Sequence, residues 1–321
     1  MKALVQRDFT GPDALRPAET AEPVAAPAAV LIEVRAAGIC YPDLLMTYGR
    51  YQTRPEPPFI PGSEVAGVVL AAPADSSFRP GQDVAAVTFG GGFAERVAVD
   101  PARVVPVEPG IDHADAAALL ANHQTAHFAL ARRAALVPGE TVLVLGSAGG
   151  LGSASVQLAK ALGARVIAAV HREGAGEFLA GIGADDVVPL REGWAARVRE
   201  LTGGRGADIV VDPVGGSAFD EAVRVVAPEG RLVVLGFAGG GIPEVKVNRL
   251  LLRNISVVGA GWGEYLRTRP EALRGTADSL NKLVADGLRP PVTARYSLDR
   301  GAEALRDLEN GQILGKAVLI A

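Results

Sequence analysis

The sequence of 321 residues predicts an α/β fold: a doubly wound, parallel, six-stranded sheet joined to an irregular β-barrel domain. Three observations predict it. From residue 138 onward, short apolar runs alternate with helical stretches, and the runs are continuously apolar, so their strands must be covered on both faces. One of these runs ends in a glycine cluster that opens a helix. The first 110 residues have another texture, with short β-rich runs broken by Pro and Gly.

In chain order, β-rich runs occur at Val30–Val34, Glu64–Leu70, Asp83–Phe89 and Ala94–Val99, with turn signals such as Pro61-Gly62 and Pro80-Gly81 between them. Asp112–Ala135 carries few breakers and many alanines and leucines, which favours helix. Strands follow at Thr141–Leu145, Arg165–Val170, Asp186–Leu190, Asp208–Val211, Arg231–Gly236 and Ile255–Gly259. Helices between them fall at Gly150–Leu162, Gly176–Ile182, Trp194–Leu201 and Phe219–Val226. The tail reads as one long helix near Pro270–Asp286 and then β-like segments ending in Lys316–Ile320, which return to the N-terminal barrel. Residues 1–121 and 261–321 then form one domain, with 122–260 inserted as the doubly wound one.

Composition narrows the function. Apolar residues make up 49% and charged residues 21% of the chain, a globular composition. The net charge of −4 offers no basic field for a phosphate backbone, so nucleic acid is not an expected partner. Cys40 is the only cysteine, which excludes an intrachain disulfide and a four-cysteine metal site and fits a reducing, cytoplasmic setting. The start, MKALVQRDFT, does not read as a signal peptide. No run of about 18 uninterrupted apolar residues exists to span a membrane. The strand Ile255–Gly259, at a sheet edge, points to edge-to-edge pairing in a homodimer.

The strand Val142–Leu145 runs into Gly146-Ser147-Ala148-Gly149-Gly150-Leu151-Gly152 and then a helix. A pyrophosphate approaches backbone only where side chains are absent, and the free N–H groups of the helix N-terminus then hold it. Against the G-x-G-x-x-G pattern, Ser147 takes the first glycine position, with Gly149 and Gly152 in the others. A plain glycine turn is the competing reading, and the surrounding α/β units weigh against it. NAD enzymes place an acid at the end of the second strand to bind the ribose hydroxyls. Here that strand ends Val170-His171-Arg172, and a cation suits a 2′-phosphate, so NADP is favoured. A solvated loop arginine is the alternative reading.

His123 and His127, spaced i, i+4, could share one helix face. No Glu lies between them and no third ligand follows, so packing is favoured over a metal site, and no metal residue is assigned.

Two stretches, Val34-Arg35-Ala36-Ala37-Gly38-Ile39-Cys40-Tyr41-Pro42-Asp43 and Pro61-Gly62-Ser63-Glu64-Val65-Ala66-Gly67, resemble the N-terminal signature of medium-chain dehydrogenase/reductases. Asn122-His123-Gln124-Thr125-Ala126, the glycine loop, Asp212-Pro213-Val214-Gly215-Gly216 and Gly236-Phe237-Ala238 resemble the NADPH:quinone oxidoreductase branch. The motifs run in the right order along the whole chain. The resemblance implies a GroES-like catalytic domain and a Rossmann domain.

The departures bear on chemistry. Zinc-dependent members hold zinc with a Cys after Gly-Ile, a His in Gly-His-Glu, and a third Cys or Asp. Cys40 sits at the first place, but Ser63 replaces the histidine, and the four cysteines of the structural-zinc lobe are missing. Zinc lowers the pKa of a bound hydroxyl from about 16 to about 7, worth about 12 kcal/mol. Without zinc, alcohol oxidation loses its activator, whereas a quinone or enone needs none. Quinone reductases often carry a Lys after the second strand and a Tyr after the third; Ala175 and Leu190 stand there instead, leaving NADP preference to Arg172.

The resemblance further implies that NADPH rests its pyrophosphate on Ala148, Gly149, Gly150 and Leu151 and its 2′-phosphate near His171 and Arg172. Its nicotinamide would lie in the cleft beneath Cys40, Asn122 and Thr125, held by backbone near Phe237, Ala238 and Val257–Gly259. Thr125 either orients the ring or bonds its own helix backbone. Cys40 lines the site or is a buried small hydrophobe. Tyr41 and Tyr51 stack on a planar acceptor and donate a proton, or are ordinary loop aromatics. Asp43 orders its loop. The expected activity is hydride transfer from NADPH to a quinone or conjugated enone without zinc. An enoyl-thioester reductase and a non-catalytic NADPH-binding protein are the alternatives.

Overall fold

The computed structural model describes residues 1–23 and 28–321. Its contacts divide the chain into two units, Met1–Gln124 with Leu266–Ala321, and Thr125–Tyr265.

In the first unit, β1 (Lys2–Gln6) and β2 (Leu15–Glu19) form an antiparallel pair. They precede β3 (Val30–Gly38), α1 (Tyr41–Thr47), β4 (Glu64–Ala71), β5 (Asp83–Val87), β6 (Arg96–Val99), β7 (Val104–Pro106) and α2 (His113–Ala118). Strand β3 is the branch point, pairing antiparallel with both β4 and β6. Its inward residues Val30, Ile32 and Val34 meet Val65, Val69, Val84 and Phe93 in one apolar core.

The run expected as a single helix over Asp112–Ala135 is broken in register. After α2 the chain widens into a π-helical turn at Leu119–His123, passes through α3 (Gln124–His127) and widens again at Phe128–Arg133. At the first widening the Ala121 N–H donates to the Glu64 carboxylate at 2.5 Å. A side chain that captures a helical N–H is a recognised cause of such irregularity, and π turns concentrate at functional sites.

The second unit is the doubly wound sheet. Its strands are β8 (Thr141–Leu145), β9 (Arg165–Val170), β10 (Asp186–Pro189), β11 (Ala207–Asp212), β12 (Val226–Val234) and β13 (Ser256–Gly259). The helices are α4 (Gly150–Ala161), α5 (Gly176–Gly181), α6 (Trp194–Leu201), α7 (Phe219–Val225), α8 (Val247–Arg253) and α9 (Trp262–Thr268). All pairings are parallel, in the order β10-β9-β8-β11-β12-β13. The order reverses between β8 and β11, the switch point at which open α/β sheets bind ligands. Leu143, Leu145, Ile167, Val210 and Leu232 are wholly buried, as continuously apolar strands require.

The chain then returns to the first unit through α10 (Ala272–Ala285), β14 (Val292–Ser297), α11 (Gly301–Glu309) and β15 (Lys316–Ile320). Strand β15 pairs antiparallel with β3 and parallel with β14, so the C-terminal strand does rejoin the N-terminal sheet. The stretch after α10, expected as β-like segments only, also contains a helix: α11 buries Gly301, Ala304 and Leu305, spaced i, i+3 and i+4, while its charged side faces outward. Among the described residues, no helix is long and apolar enough to cross a membrane.

Candidate active site

The glycine turn lies at the C-terminal end of β8, at the switch point. Gly146 has φ +58°, the left-handed region that favours glycine. Ser147 is fully buried and anchors the turn to the neighbouring strand, its N–H and hydroxyl both donating to the Ala169 carbonyl at 3.2 and 3.0 Å. A Cβ at Gly152 would overlap the Gly146 carbonyl and the Ser147 Cα, so the first turn of α4 can sit this close only with glycine there. A Cβ at Gly149 would instead meet nothing nearer than the Gly146 carbonyl at 3.6 Å. Gly149 is also the exposed N-cap of α4 and supplies no side-chain cap. The result is a cradle of bare backbone at the positive end of a helix, which suits a dinucleotide pyrophosphate.

Arg172 follows β9 beside this turn. It is half-buried, and among the described residues it has no hydrogen bond, ion pair or ring contact. Its neighbour His171 is exposed. At the end of β11, fully buried Asp212 accepts from the N–H groups of Val214 and Gly215, both at 2.8 Å, through Oδ1. Its Oδ2 has no partner among the described residues. Burial raises its carboxyl above the ordinary value, against the two backbone hydrogen bonds. The Phe237–Gly239 segment straps over this loop, with Ala238 N–H on the Pro213 carbonyl at 3.2 Å and Gly239 N–H on Val214 at 2.8 Å. Phe237 itself is exposed.

The first unit holds a buried polar cluster around Cys40. The Lys316 ammonium pairs with Glu64 Oε1 at 2.6 Å, and the two side chains are 3% and 0% exposed. It also donates to the Ile39 carbonyl at 2.9 Å and to Cys40 Sγ at 3.2 Å. The Cys40 thiol donates to Glu64 Oε1 at 3.2 Å. Asp43, at the first turn of α1, accepts the Cys40 N–H at 2.9 Å and the Ser63 hydroxyl at 2.6 Å.

Burial, then the Glu64 charge, pushes the Cys40 thiol well up, so it stays protonated and is no thiolate nucleophile. Burial alone would lower Lys316, but the Cys40 sulfur and the Glu64 carboxylate around it hold it above the ordinary lysine range. With the thiol neutral, Glu64 is the countercharge. Burial, then Glu309, raises the Tyr41 phenol, which also stays protonated. Burial lowers His127.

The sequence-derived candidates fall in both units. Cys40 is buried, Tyr41 exposed, and Tyr51 and Asn122 half-buried in the first; Thr125 and Leu151 are half-buried in the second, where Ala148 is buried and Ala238 exposed. Sequence reasoning missed Lys316, Glu64 as its partner, and the half-satisfied Asp212. The signal was present: a lone acid opens the apolar strand after Pro61-Gly62-Ser63, and a lone lysine opens the apolar strand Lys316–Ile320. Such charges are rarely buried unless they are paired. Among the described residues, no group of three His, Cys, Asp or Glu side chains is disposed to hold a metal ion.

Known proteins carry the same architecture. The family model described as the alcohol dehydrogenase GroES-like domain matches residues 26–109, and the one described as zinc-binding dehydrogenase matches residues 150–278. The chain is 36% identical over 296 residues to the quinone oxidoreductase-like protein 2 homolog of Nematostella vectensis, covering 90% of this chain and 81% of the relative. A crystal structure described as "a probable oxidoreductase from Mycobacterium abscessus" is similar at 53% identity and TM-score 0.93, covering 100% and 99% of the two chains. The structure of mycobacterial Rv1454c complexed with NADPH is similar at 31% identity and TM-score 0.92, covering 100% of both.

Asp43 gives the cluster a pH signature. Burial pushes its carboxyl from 3.8 up to about 6, although the Ser63 and Cys40 hydrogen bonds pull it down. The folded value exceeds the unfolded one, so the resulting stabilisation is complete below about pH 4 and is lost as pH rises through about 6. At about 1.36 kcal/mol per pKa unit its size is on the order of 3 kcal/mol. In Asp43→Asn the amide oxygen still accepts the Cys40 N–H and the amide N–H₂ can donate to Ser63 Oγ, so the fold should persist. The difference in Tm between wild type and Asp43→Asn should therefore fall between pH 4 and pH 7. Parallel Tm profiles would show that Asp43 does not titrate in this range.

Proposed function

Because the chain belongs to the medium-chain dehydrogenase/reductase family, in its quinone oxidoreductase branch, we propose an NADPH-dependent, zinc-independent reductase of quinones or conjugated enones. The observation that carries this reading is the pairing of the bare glycine cradle with a half-buried Arg172 beside it that has no partner among the described residues.

NADPH bound there supplies the hydride. The N–H groups of Gly150 and Leu151 hold the pyrophosphate over the bare backbone of Gly149, whose own N–H closes the turn on the Gly146 carbonyl, with Ala148 packed beneath. Arg172, with His171, binds the 2′-phosphate. Asn122 and Thr125 orient the nicotinamide, and the Phe237–Ala238 backbone supports it. Cys40 lines the site as a neutral thiol. Tyr41 or Tyr51 holds a proton on its phenol oxygen for the reduced acceptor. Orientation and exclusion of water supply most of the rate, since no strong acid stands among these residues.

The residues around Cys40 do not fit a catalytic zinc. Ser63 stands where a histidine would ligate and is engaged with Asp43, and the Lys316 ammonium lies 3.2 Å from the sulfur. A divalent ion placed there would meet a buried positive charge, which supports turnover without metal. Two further features support a homodimer. Among the described residues β13 pairs only with β12, and nearby Ile242, Val247, Leu251 and Leu252 are 73–80% exposed. An open strand edge beside exposed apolar residues is suited to pairing with a second copy about a two-fold axis. The single buried thiol suits the cytoplasm.

NADPH oxidation by the purified protein, assayed against quinones, enones and, in reverse, simple alcohols, tests the reading. Quinones or enones should turn over far faster than alcohols and equally well in a chelator, and light scattering should give the mass of two chains. Chelator-sensitive alcohol oxidation would overturn the mechanism, NADPH binding without any turnover would make the chain a carrier, and a single-chain mass would remove the dimer.

Arg172→Ala should weaken NADPH binding and spare NADH. A charge-assisted hydrogen bond is worth roughly 1.5–3 kcal/mol, so the NADPH loss should be about 10- to 100-fold at about 1.4 kcal/mol per tenfold. Paired dissociation constants at fixed salt measure it. Equal losses for both cofactors would assign Arg172 to the fold, and no loss for either would remove it from the site.

A further inference from the structure

We propose that the Lys316–Glu64 ion pair is a positioning device that locks Cys40 and the turn carrying Asn122 into one geometry. The inference rests on the proposed function only in that both residues belong to its site.

All three ammonium N–H groups and both carboxylate oxygens of the pair are engaged. The three N–H groups of the ammonium go to the Ile39 carbonyl, Cys40 Sγ and Glu64 Oε1. Glu64 Oε1 takes the ammonium and the Cys40 thiol, while Oε2 takes the Ala121 N–H, one residue before Asn122. Four separate segments of the first unit therefore meet at two side chains: the start of β15, the Gly38–Cys40 turn, the start of β4 and the π-helical turn at Leu119–His123. The Glu64 carboxyl reaches this place because position 38 is glycine; a Cβ there would overlap it. Asp43 and Ser63 tie the same turn a second time.

Stability does not explain such a pair. Replacing a buried ion pair by uncharged groups of similar volume is often neutral or stabilising, because desolvation offsets the attraction. What a fully satisfied buried network supplies is a single arrangement of the segments it joins. Here those segments carry Cys40 and Asn122 and none of the glycine cradle. Removing the charges should therefore loosen the placement of Cys40 and Asn122 and leave cofactor binding at the cradle intact.

The test is Lys316→Met with Glu64→Gln, in which the Gln oxygen still accepts the Ala121 N–H. The variant should keep its Tm within a few degrees and its NADPH affinity within about twofold, while kcat falls about tenfold or more, the scale on which small misplacements act. Cys40 is the only thiol, so its labelling by a disulfide reagent reads the turn without any substrate. Labelling should be about tenfold faster than in wild type, as local opening becomes easier. Unchanged kcat and unchanged labelling would overturn the proposal. Faster labelling in a protein whose wild type oxidises no NADPH would uphold the positioning role and reject the reductase. If the double variant fails to fold, Lys316→Gln with Glu64→Gln, which removes both charges and keeps hydrogen-bonding groups at both positions, gives the same two readouts.

Discussion

The doubly wound unit depends on one close approach, that of position 152 to the Gly146 carbonyl. Only glycine can stand there. Because it does, α4 begins directly against the turn that ends β8, and its free N–H groups point out of the sheet edge. Ser147 then fastens the turn to the end of β9, which places Arg172 beside it, and Val214 at the end of β11 packs on the other side of Gly146. Parallel pairing puts all these strand ends at one edge, so backbone donors, a cation and the Phe237–Gly239 strap converge without any one segment being long.

The other unit is organised by charge. Lys316 and Glu64 are buried in a unit whose core is built mainly of Val, Leu, Ile, Ala and Phe. Desolvating two ions is unfavourable by several kcal/mol each and is offset only by complete hydrogen bonding. That completeness sets the state of Cys40. Flanked by a carboxylate and buried, its sulfur keeps its proton, and the ammonium beside it supplies a fixed positive charge within the protein. Ser63, lacking a ligating nitrogen, serves the loop through Asp43 instead.

Much of this was legible in the sequence, for identifiable reasons. The six strands of the doubly wound sheet could be read because burial on both faces demands unbroken apolar runs, and Trp194–Leu201 and Lys316–Ile320 coincide with the elements found. Helix α11 was passed over because its apolar positions Ala304, Leu305 and Leu308 are few and set among charges. The first π turn was invisible because Glu64, which captures its Ala121 N–H, lies far away in sequence. The glycine motif was legible as a motif, but not the division of labour within it. Only the Cβ geometry separates Gly152, which the fold needs, from Gly149, which the fold leaves open. The buried ion pair joins residues at opposite ends of the chain, and no local pattern links them.

That division of labour gives the most direct test of the dinucleotide site. In Gly149→Val the new side chain meets no protein atom within 3.6 Å of its Cβ, and the extended backbone there, φ −83° and ψ 175°, suits a β-branched residue. It would nonetheless fill the space a pyrophosphate must enter. Calorimetric titration of NADPH should find wild type binding and Gly149→Val binding weakened beyond about 100-fold, the scale of about 3 kcal/mol, with Tm within a few degrees of wild type. Undiminished NADPH affinity in the variant, or no NADPH binding in wild type, would contradict a cofactor site at this turn.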